Sequence, residues 1–301
     1  MVTEPADAAI GAWLSEKIGR RFQARPAGIV HGGSIHHCVR WPAPRGDAFV
    51  KLAAAATLAT FEAEVDGLAA LRAAQALRVP EVLAVGVAGE CAVLALEWLD
   101  LSPQVADRST VQRRLGEGLA TQHRVTSSTF GWHRDNTLGA TPQPNPRDDD
   151  WVRFFQRHRL GHVLFLAVAR GLPSRTAERG RELIERCPAL FAGYRPVPSL
   201  LHGDLWGGNW SAHAVTCEPV VFDPAVHHGD READLAFTHL FGGFGPDFYS
   251  AYGAQWPLDR GADARRPLYN LYHVLNHFVL FGGGYARQAD SMIDRLLAEL
   301  G

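Results

Sequence analysis

The stretch LLHGDLWGGNW at 200–210 constrains this chain more than any other. It sets His202, Asp204 and Asn209 among apolar residues. A second apolar run, VVFDPAV, carries one isolated acid, Asp223. Burying a carboxylate or carboxamide is costly unless the group is paired, so acids embedded in strand-like segments are either partnered or take part in chemistry.

Phosphoryl transfer from ATP uses such a set. One carboxylate accepts or orients the proton of the acceptor hydroxyl. A carboxamide oxygen and a second carboxylate hold Mg²⁺, a hard ion that takes oxygen ligands. The pattern H-x-D-x-x-x-x-N, followed by an acid after an apolar strand, supplies these groups in the order of a kinase catalytic loop. Here Asp204 is the expected base, and Asn209 and Asp223 are the expected metal ligands.

The upstream parts are present in order. Lys51 sits in the strand-like AFVK, where a kinase lysine reaches phosphate oxygens. The helical pattern TLATFEAEVDGLAALRAA follows, and either Glu62 or Glu64 could hold Lys51. Glu64 is favoured, because Phe61 and Leu68 turn its face inward while Glu62 rotates away by ~100° per residue. Gly32, Gly33 and Ser34 lie between strand-like segments and can offer backbone N–H groups to phosphates. In LEWLD, at 96–100, Glu97 and Leu99 fall where a hinge would bond adenine through its backbone. Two departures separate the chain from protein kinases. Gly203 stands where they have Arg, and Asp223-Pro224-Ala225 where they have D-F-G, with no APE segment after it. A kinase of small molecules, free of activation-loop control, is the reading.

Composition narrows the alternatives. A formal net charge of −2 gives no global attraction for nucleic acid or acidic lipid. No apolar run is long enough for a transmembrane helix, and the N-terminus reads as an amphipathic helix, not a signal peptide. Cys38, Cys91, Cys187 and Cys217 are scattered without a CxxC, which suits reduced thiols and a cytoplasmic setting. The pairs His158/His162 and His273/His277 have metal-gripping spacing but lack HExxH, so packed or solvated histidines are expected.

The chain is expected to be α+β, with a small β-rich nucleotide-binding lobe over 1–100 and a larger helical catalytic and substrate-binding lobe over 101–301. Residues 5–20 read as a helix. EVLAVGVAGECAVLALEWLD reads as two strands joined at Gly89. A helix over STVQRRLGEGLATQHRVT is expected to start on Ser109 or Thr110, and the next, at WVRFFQRHRLGHVLFLAVARG, on Asp150. The acids at 148–150 suit a solvated helix start.

HGDLWGGN, FDPAVHHGDREADLAFTHLFGGF and LYNLYHVLNHFVLFGGGY resemble the fructosamine kinase, or ketosamine-3-kinase, family, as do FVKLA…FEAEVDGL and FGWHRDNTLGATPQPN. The resemblance runs from about Gly32 to Tyr285. It implies the bilobal protein-kinase-like fold of aminoglycoside phosphotransferases. It also implies ATP- and Mg²⁺-dependent phosphorylation of a sugar-derived ketoamine, a small-molecule substrate, at O3. The product is unstable and releases the amine, a deglycation repair. By matching position, Asp204 is the base, Asn209 and Asp223 the Mg²⁺ ligands, and Lys51 with Glu64 the phosphate-positioning pair. Trp206 forms a wall of the sugar site, with Asp230 on the same substrate side. His202 gives support, and Asp230 and Asp234 brace the catalytic segment; Asp234 could instead cap the following helix. Some relatives carry a cysteine in the glycine-rich loop where this chain has Ser34, so a redox switch is not carried over. Gly207 stands where the family more commonly has Ser. Two other readings remain at this point: a kinase of another hydroxylated amine, such as an aminoglycoside, and a nucleotide-binding regulator without catalysis. A polycationic substrate calls for a dense acidic surface, whereas this C-terminal half is rich in Trp, His and Tyr. The intact Lys51, Asp204, Asn209 and Asp223 oppose the regulator.

Overall fold

The structure is a computed structural model and describes residues 4–30, 36–102, 104–105 and 107–301. The chain opens with α1 (Glu4–Ile18), β1 (Gly28–Ile29), β2 (His37–Trp41), β3 (Ala48–Ala54), α2 (Leu58–Ala73), β4 (Val82–Ala88), β5 (Cys91–Glu97) and β6 (Leu101–Ser102). Then come α3 (Arg108–His123), the hairpin β7 (Asn136–Leu138) and β8 (Thr141–Gln143), and α4 (Trp151–Phe155). A π-helical turn (Gln156–Gly161) joins α4 to α5 (His162–Ala169), and α6 (Ser174–Arg186) follows. The strands β9 (Ser199–Leu201), β10 (Trp210–His213), β11 (Pro219–Val221) and β12 (His227–Gly229) precede α7 (Arg231–Leu240), α8 (Pro246–Gln255), α9 (Ala262–Phe281) and α10 (Tyr285–Glu299).

Two compact units result: residues 1–111 with 210–223, and residues 112–209 with 224–301. The segment 210–223 also returns to the first unit, because β10 pairs with both β11 and β6 in a three-stranded sheet.

In the first unit, five antiparallel strands run in the order β1-β2-β3-β5-β4. Period-two alternation along β3 sends Ala48, Val50 and Leu52 into a core with Ile10, Leu14, Trp41 and Val93. Lys51, between them, points to the opposite face. It pairs with Cys38 on one side and Leu94 on the other. Helix α2 packs against β4 and β5 and buries Phe61, Leu68 and Leu71. The expected turn at Gly89 is present with φ +61°, a left-handed value that glycine takes without strain.

The second unit is mostly helical. Its core gathers Trp151, Phe154 and Phe155 from α4, Leu268, Leu271 and Leu275 from α9, and Ile293 from α10. The small sheet β9–β12 pairs Leu201 with His227, which fixes the start of the 202–209 loop. Asp150 caps α4 by accepting from the Arg153 N–H at 2.8 Å, as expected. The cap of α3 is different: Asp107, not Ser109 or Thr110, accepts from the Thr110 N–H at 2.9 Å. A carboxylate at that position competes well with a hydroxyl for the orphan amides and the helix dipole.

Candidate active site

In the first unit, Lys51 Nζ donates to Glu64 Oε1 at 2.7 Å and to Asp223 Oδ1 at 2.5 Å. The Lys51 side chain is only 4% exposed. Glu64 is thus the helical partner, and Glu62 points to solvent. Burial alone would lower the Lys51 pKa, but the two carboxylates overcome it and hold the ammonium above its ordinary value. Glu64 is pushed up, mainly by burial and also by the charge of Asp223, against the pull of Lys51. One cation shared by two carboxylates leaves a net negative charge, an environment that a divalent cation would neutralise. Asp223 has φ +56°, a left-handed backbone that aspartate tolerates better than most residues. Strain of this kind concentrates at functional positions.

Gly32, Gly33 and Ser34 lie outside the described residues. Cys38, opposite Lys51, is buried, and burial pushes its thiol up to about 11, far from a reactive thiolate. Glu97 ends β5. Its N–H donates to Glu81 O at 2.8 Å, and its carboxylate accepts from the Glu81 N–H at 3.0 Å. Leu99 follows at the half-buried end of this segment.

In the second unit, Asn209 Nδ2 donates to the Asp204 carbonyl at 2.9 Å and to Asp204 Oδ2 at 3.0 Å. The loop between them is therefore closed on itself at both ends. Its N-terminal end hangs from Asp234, which accepts from the His202 N–H at 2.7 Å and the Gly203 N–H at 2.8 Å. His202 is fully buried, and its Nδ1 accepts from the Asp204 N–H at 3.3 Å. A chain of hydrogen bonds stands behind Asp234. Arg231 donates to the Tyr252 hydroxyl at 3.1 Å, Tyr252 meets His123 Nδ1 at 2.9 Å, and His123 Nε2 meets Asp234 Oδ2 at 3.2 Å. Burial holds the His123 imidazole below its ordinary value, so a neutral ring accepting from Tyr252 and donating to Asp234 satisfies every group. Burial would raise the Asp234 pKa; the hydrogen bonds it accepts, from His123 first and then from the Gly203 N–H, hold it below the ordinary carboxylate value.

Asp230 behaves differently. It is fully buried, caps α7 by accepting from the Glu232 N–H, and accepts from the Tyr194 hydroxyl at 2.9 Å and the Tyr269 hydroxyl at 2.5 Å. Of the two expectations for Asp230, this enclosure fits a brace rather than a substrate-facing carboxylate. Burial, with the charge of Glu232, pushes it up to about 6. The cap of α7 is therefore Asp230, and Asp234 braces the loop. Sequence reasoning missed the rest of this motif. Glu232 forms a buried pair with Arg265 at 2.7 and 2.9 Å, and Arg231 lies 4.0 Å over Trp256. The crowding of charges in DREAD was the available signal.

Glycines shape the loop. Gly203 has φ +81°, and a Cβ there would lie 2.1 Å from the Ala225 carbonyl, so no side chain fits where protein kinases carry Arg. A Cβ on Gly207 would come within 2.8 Å of the Gly242 carbonyl, so a serine here would require that backbone to shift. Trp206 lays its ring over Gly208 and meets Phe241 edge-on at 6.1 Å. Of the paired histidines, His273 stacks on Phe237 at 3.5 Å, and burial pulls it down to about 3. His158 and His162 lie around the π-helical turn. Among the described residues no group of three His, Cys, Asp or Glu side chains is arranged to hold a metal. No helix is long and apolar enough to cross a membrane, again among the described residues.

A five-stranded antiparallel unit carrying a Lys–Glu pair, and a helical unit carrying an H-x-D-x-x-x-x-N loop, are the parts of the protein-kinase-like fold. An aminoglycoside phosphotransferase, APH(4)-Ia, shares this fold at a TM-score of 0.67 over 96% of this chain and 98% of its own, with 13% identity. The chain belongs to the fructosamine kinase family, whose model matches residues 6–299. It is 42% identical to a probable ketoamine kinase of Synechocystis, covering 96% of each chain. It is 38% identical to the chloroplastic protein-ribulosamine 3-kinase of Arabidopsis thaliana, covering 97% of this chain and 88% of the relative. A crystal structure from Haemophilus somnus assigned as a fructosamine-3-kinase superposes with a TM-score of 0.86 at 27% identity, covering 96% of each chain. The chain is accordingly a phosphotransferase with a hydroxyl acceptor.

Proposed function

We propose that this chain transfers the γ-phosphoryl group of ATP to the O3 hydroxyl of a sugar-derived ketoamine, and so starts release of the amine. The observation that carries the reading is the pair of built clusters: Lys51 held by Glu64 and Asp223, and Asp204 closed onto Asn209 in a loop hung from Asp234. Relatives named ketoamine kinase and ribulosamine 3-kinase support the substrate class.

Lys51, kept charged by its neighbours, binds phosphate oxygens, and Glu64 fixes its direction. Gly32, Gly33 and Ser34 offer backbone donors to the phosphates, and the backbone of Glu97 and Leu99 bonds the adenine. Asp204 accepts the proton of the acceptor hydroxyl as the new O–P bond forms. Trp206 covers the apolar face of the sugar. Asn209 and Asp223 offer hard oxygen donors, and the excess negative charge at Lys51 fits a divalent ion. Mg²⁺ held there would neutralise charge on the transferring phosphoryl group. The described cysteines are all free, which supports a reducing, cytoplasmic setting.

The test is an ATP-consumption screen over fructosyl-lysine, ribulosyl-lysine, unmodified sugars and aminoglycosides, with and without Mg²⁺. Turnover of the ketoamines, dependent on Mg²⁺, is expected. Turnover of aminoglycosides alone would overturn the reading.

A further inference from the structure

The stretch FGWHRDNTLGATPQPN folds around the β7–β8 hairpin and lends no group to the proposed phosphoryl transfer. It is nevertheless dense in carboxamides. Asn136 and Gln143 face each other across the hairpin, and Asn145 follows two residues on. Gln143 and Asn145 are each only 1% exposed. A buried carboxamide needs partners at both its oxygen and its nitrogen, so its direction can be traced from its neighbours.

The trace starts at Arg159, which is also 1% exposed and lies in the π-helical turn, a local widening that recurs at functional sites. Burial pulls its pKa down to about 10, which leaves it a cation at neutral pH, and a guanidinium only donates. Arg159 Nη2 donates to Asn145 Oδ1 at 2.6 Å, which commits the oxygen end of that carboxamide. Asn145 Nδ2 donates to Asn136 Oδ1 at 2.9 Å, and Asn136 Nδ2 donates to the Val226 carbonyl at 2.8 Å. A second branch starts at Tyr272, whose hydroxyl donates to Gln143 Oε1 at 2.8 Å. Gln143 Nε2 donates to Asn136 Oδ1 at 2.8 Å and to the Ala225 carbonyl at 3.2 Å.

Both branches thus end on the consecutive carbonyls of Ala225 and Val226, and Ala225 touches the catalytic loop directly. Its N–H donates to the His202 carbonyl at 2.9 Å. Its carbonyl packs against Gly203, where a Cβ would lie 2.1 Å away. Asp234 takes the N–H groups of His202 and Gly203. The peptide just before Asp204 is therefore gripped twice, by a carboxylate and by residue 225. The second grip is only as fixed as the carboxamides behind it.

We propose that Asn136, Gln143 and Asn145, aligned by Arg159 and Tyr272, are positioning residues for phosphoryl transfer: they fix the 225–226 segment and, through it, the direction in which Asp204 meets the acceptor hydroxyl. The inference rests on the reading of Asp204 as the base.

Steady-state kinetics and melting curves on Gln143→Met test it, with the change made in the parent and in Asp204→Asn. Methionine fills a similar volume and removes the hydrogen bonds. In the parent, kcat should fall at least tenfold, since misplacement by about 1 Å can cost ~10²-fold. The KM values for ATP and the ketoamine should stay within about twofold. In Asp204→Asn the same change should cost less than about twofold, because residues that act through one group do not add. Tyr272→Phe removes a single hydroxyl; it should repeat this pattern with a kcat loss of about threefold, and it decides the question if Gln143→Met does not fold. An unchanged kcat in the parent background, a loss confined to KM or to the melting temperature, or an equal kcat loss in both backgrounds overturns the positioning role and leaves Asp204 as the base. Parent-like turnover by Asp204→Asn alone overturns the base and this inference with it.

Discussion

The two clusters are held in opposite ways. Lys51, Glu64 and Asp223 are bound by charge, with one ammonium between two carboxylates. Asp204 and Asn209 are bound by a hydrogen-bonded loop whose backbone hangs from a buried carboxylate, itself backed by the neutral groups His123 and Tyr252. Charge pairs rearrange when a metal or phosphate competes for their members. A loop pinned through its own amides does not. The Lys51 cluster, proposed to bind the nucleotide, is thus built to exchange partners, and the Asp204 loop, proposed to carry the base, is built to stay still, as a base needs fixed geometry.

The largest expected effect tests the fixed side. Asp204→Asn should lower kcat by ~10²–10⁴, the usual worth of a general base. The loop should survive, because Asn209 still finds the carbonyl of residue 204 and an amide oxygen at the side chain. Turnover within about threefold of the parent would mean that another group takes the proton.

Asp234→Ala comes next, and it should damage folding and catalysis together. It strands the N–H groups of His202 and Gly203 and one nitrogen of His123 in a buried site, so stability should fall by ~3 kcal/mol. A melting temperature like the parent's would show that the brace is unimportant. The same group sets a pH response. Its folded pKa lies below the unfolded value of about 3.8, so its contribution is full above that pH and is lost as pH falls through the folded value. Asp230 has the opposite sign. Raised to about 6, it favours the folded state when protonated, and that contribution fades as pH climbs through 6. Asp230→Asn should therefore flatten the stability profile near pH 6, while Asp234→Ala should flatten it below pH 4, both read from melting curves.

Asp223→Ala reverses the pattern. Its side chain is 37% exposed, and Lys51 keeps Glu64, so the nucleotide-free protein should melt within a few degrees of the parent. Mg²⁺-dependent nucleotide affinity should fall at least tenfold, because the variant loses a carboxylate proposed to bind the metal directly. Equal affinity in Mg²⁺ by calorimetry would place the ion elsewhere, and a large loss of stability would erase the contrast with Asp234.

How much of this was legible follows from the distance over which each signal acts. The pairing of Lys51 with Glu64 could be read, since strand alternation and helical period decide which way each points. The α+β class was legible for the same reason. The brace was only half legible. Asp234 was marked, but its partner His123 lies on α3, with no local pattern linking the two. For Asp230 the bracing and substrate-side readings stood together, because its enclosure by Tyr194 and Tyr269 depends on how separate helices meet. The return of 210–223 to the first unit depends on β10 finding β6, a pairing between two short strands far apart in sequence.

The smallest expected effect concerns Trp206, the proposed sugar wall. One face of the ring covers Gly208 and its edge meets Phe241, so part of the indole already packs the loop. A Cβ on Gly208 would sit 2.3 Å from the ring, so loop and indole are fitted to each other. The residue nevertheless stays half-exposed, two positions after the base. A sugar stacked on that remaining surface gains about 0.5–1.5 kcal/mol, the scale of an aromatic contact. Trp206→Ala should therefore raise the KM for a ketoamine by about two- to tenfold and leave the KM for ATP unchanged. A loop-packing role alone would instead lower the melting temperature and raise both KM values together. Measuring both KM values and the melting temperature on this one variant separates the two, because only a sugar wall acts on the ketoamine and spares the nucleotide.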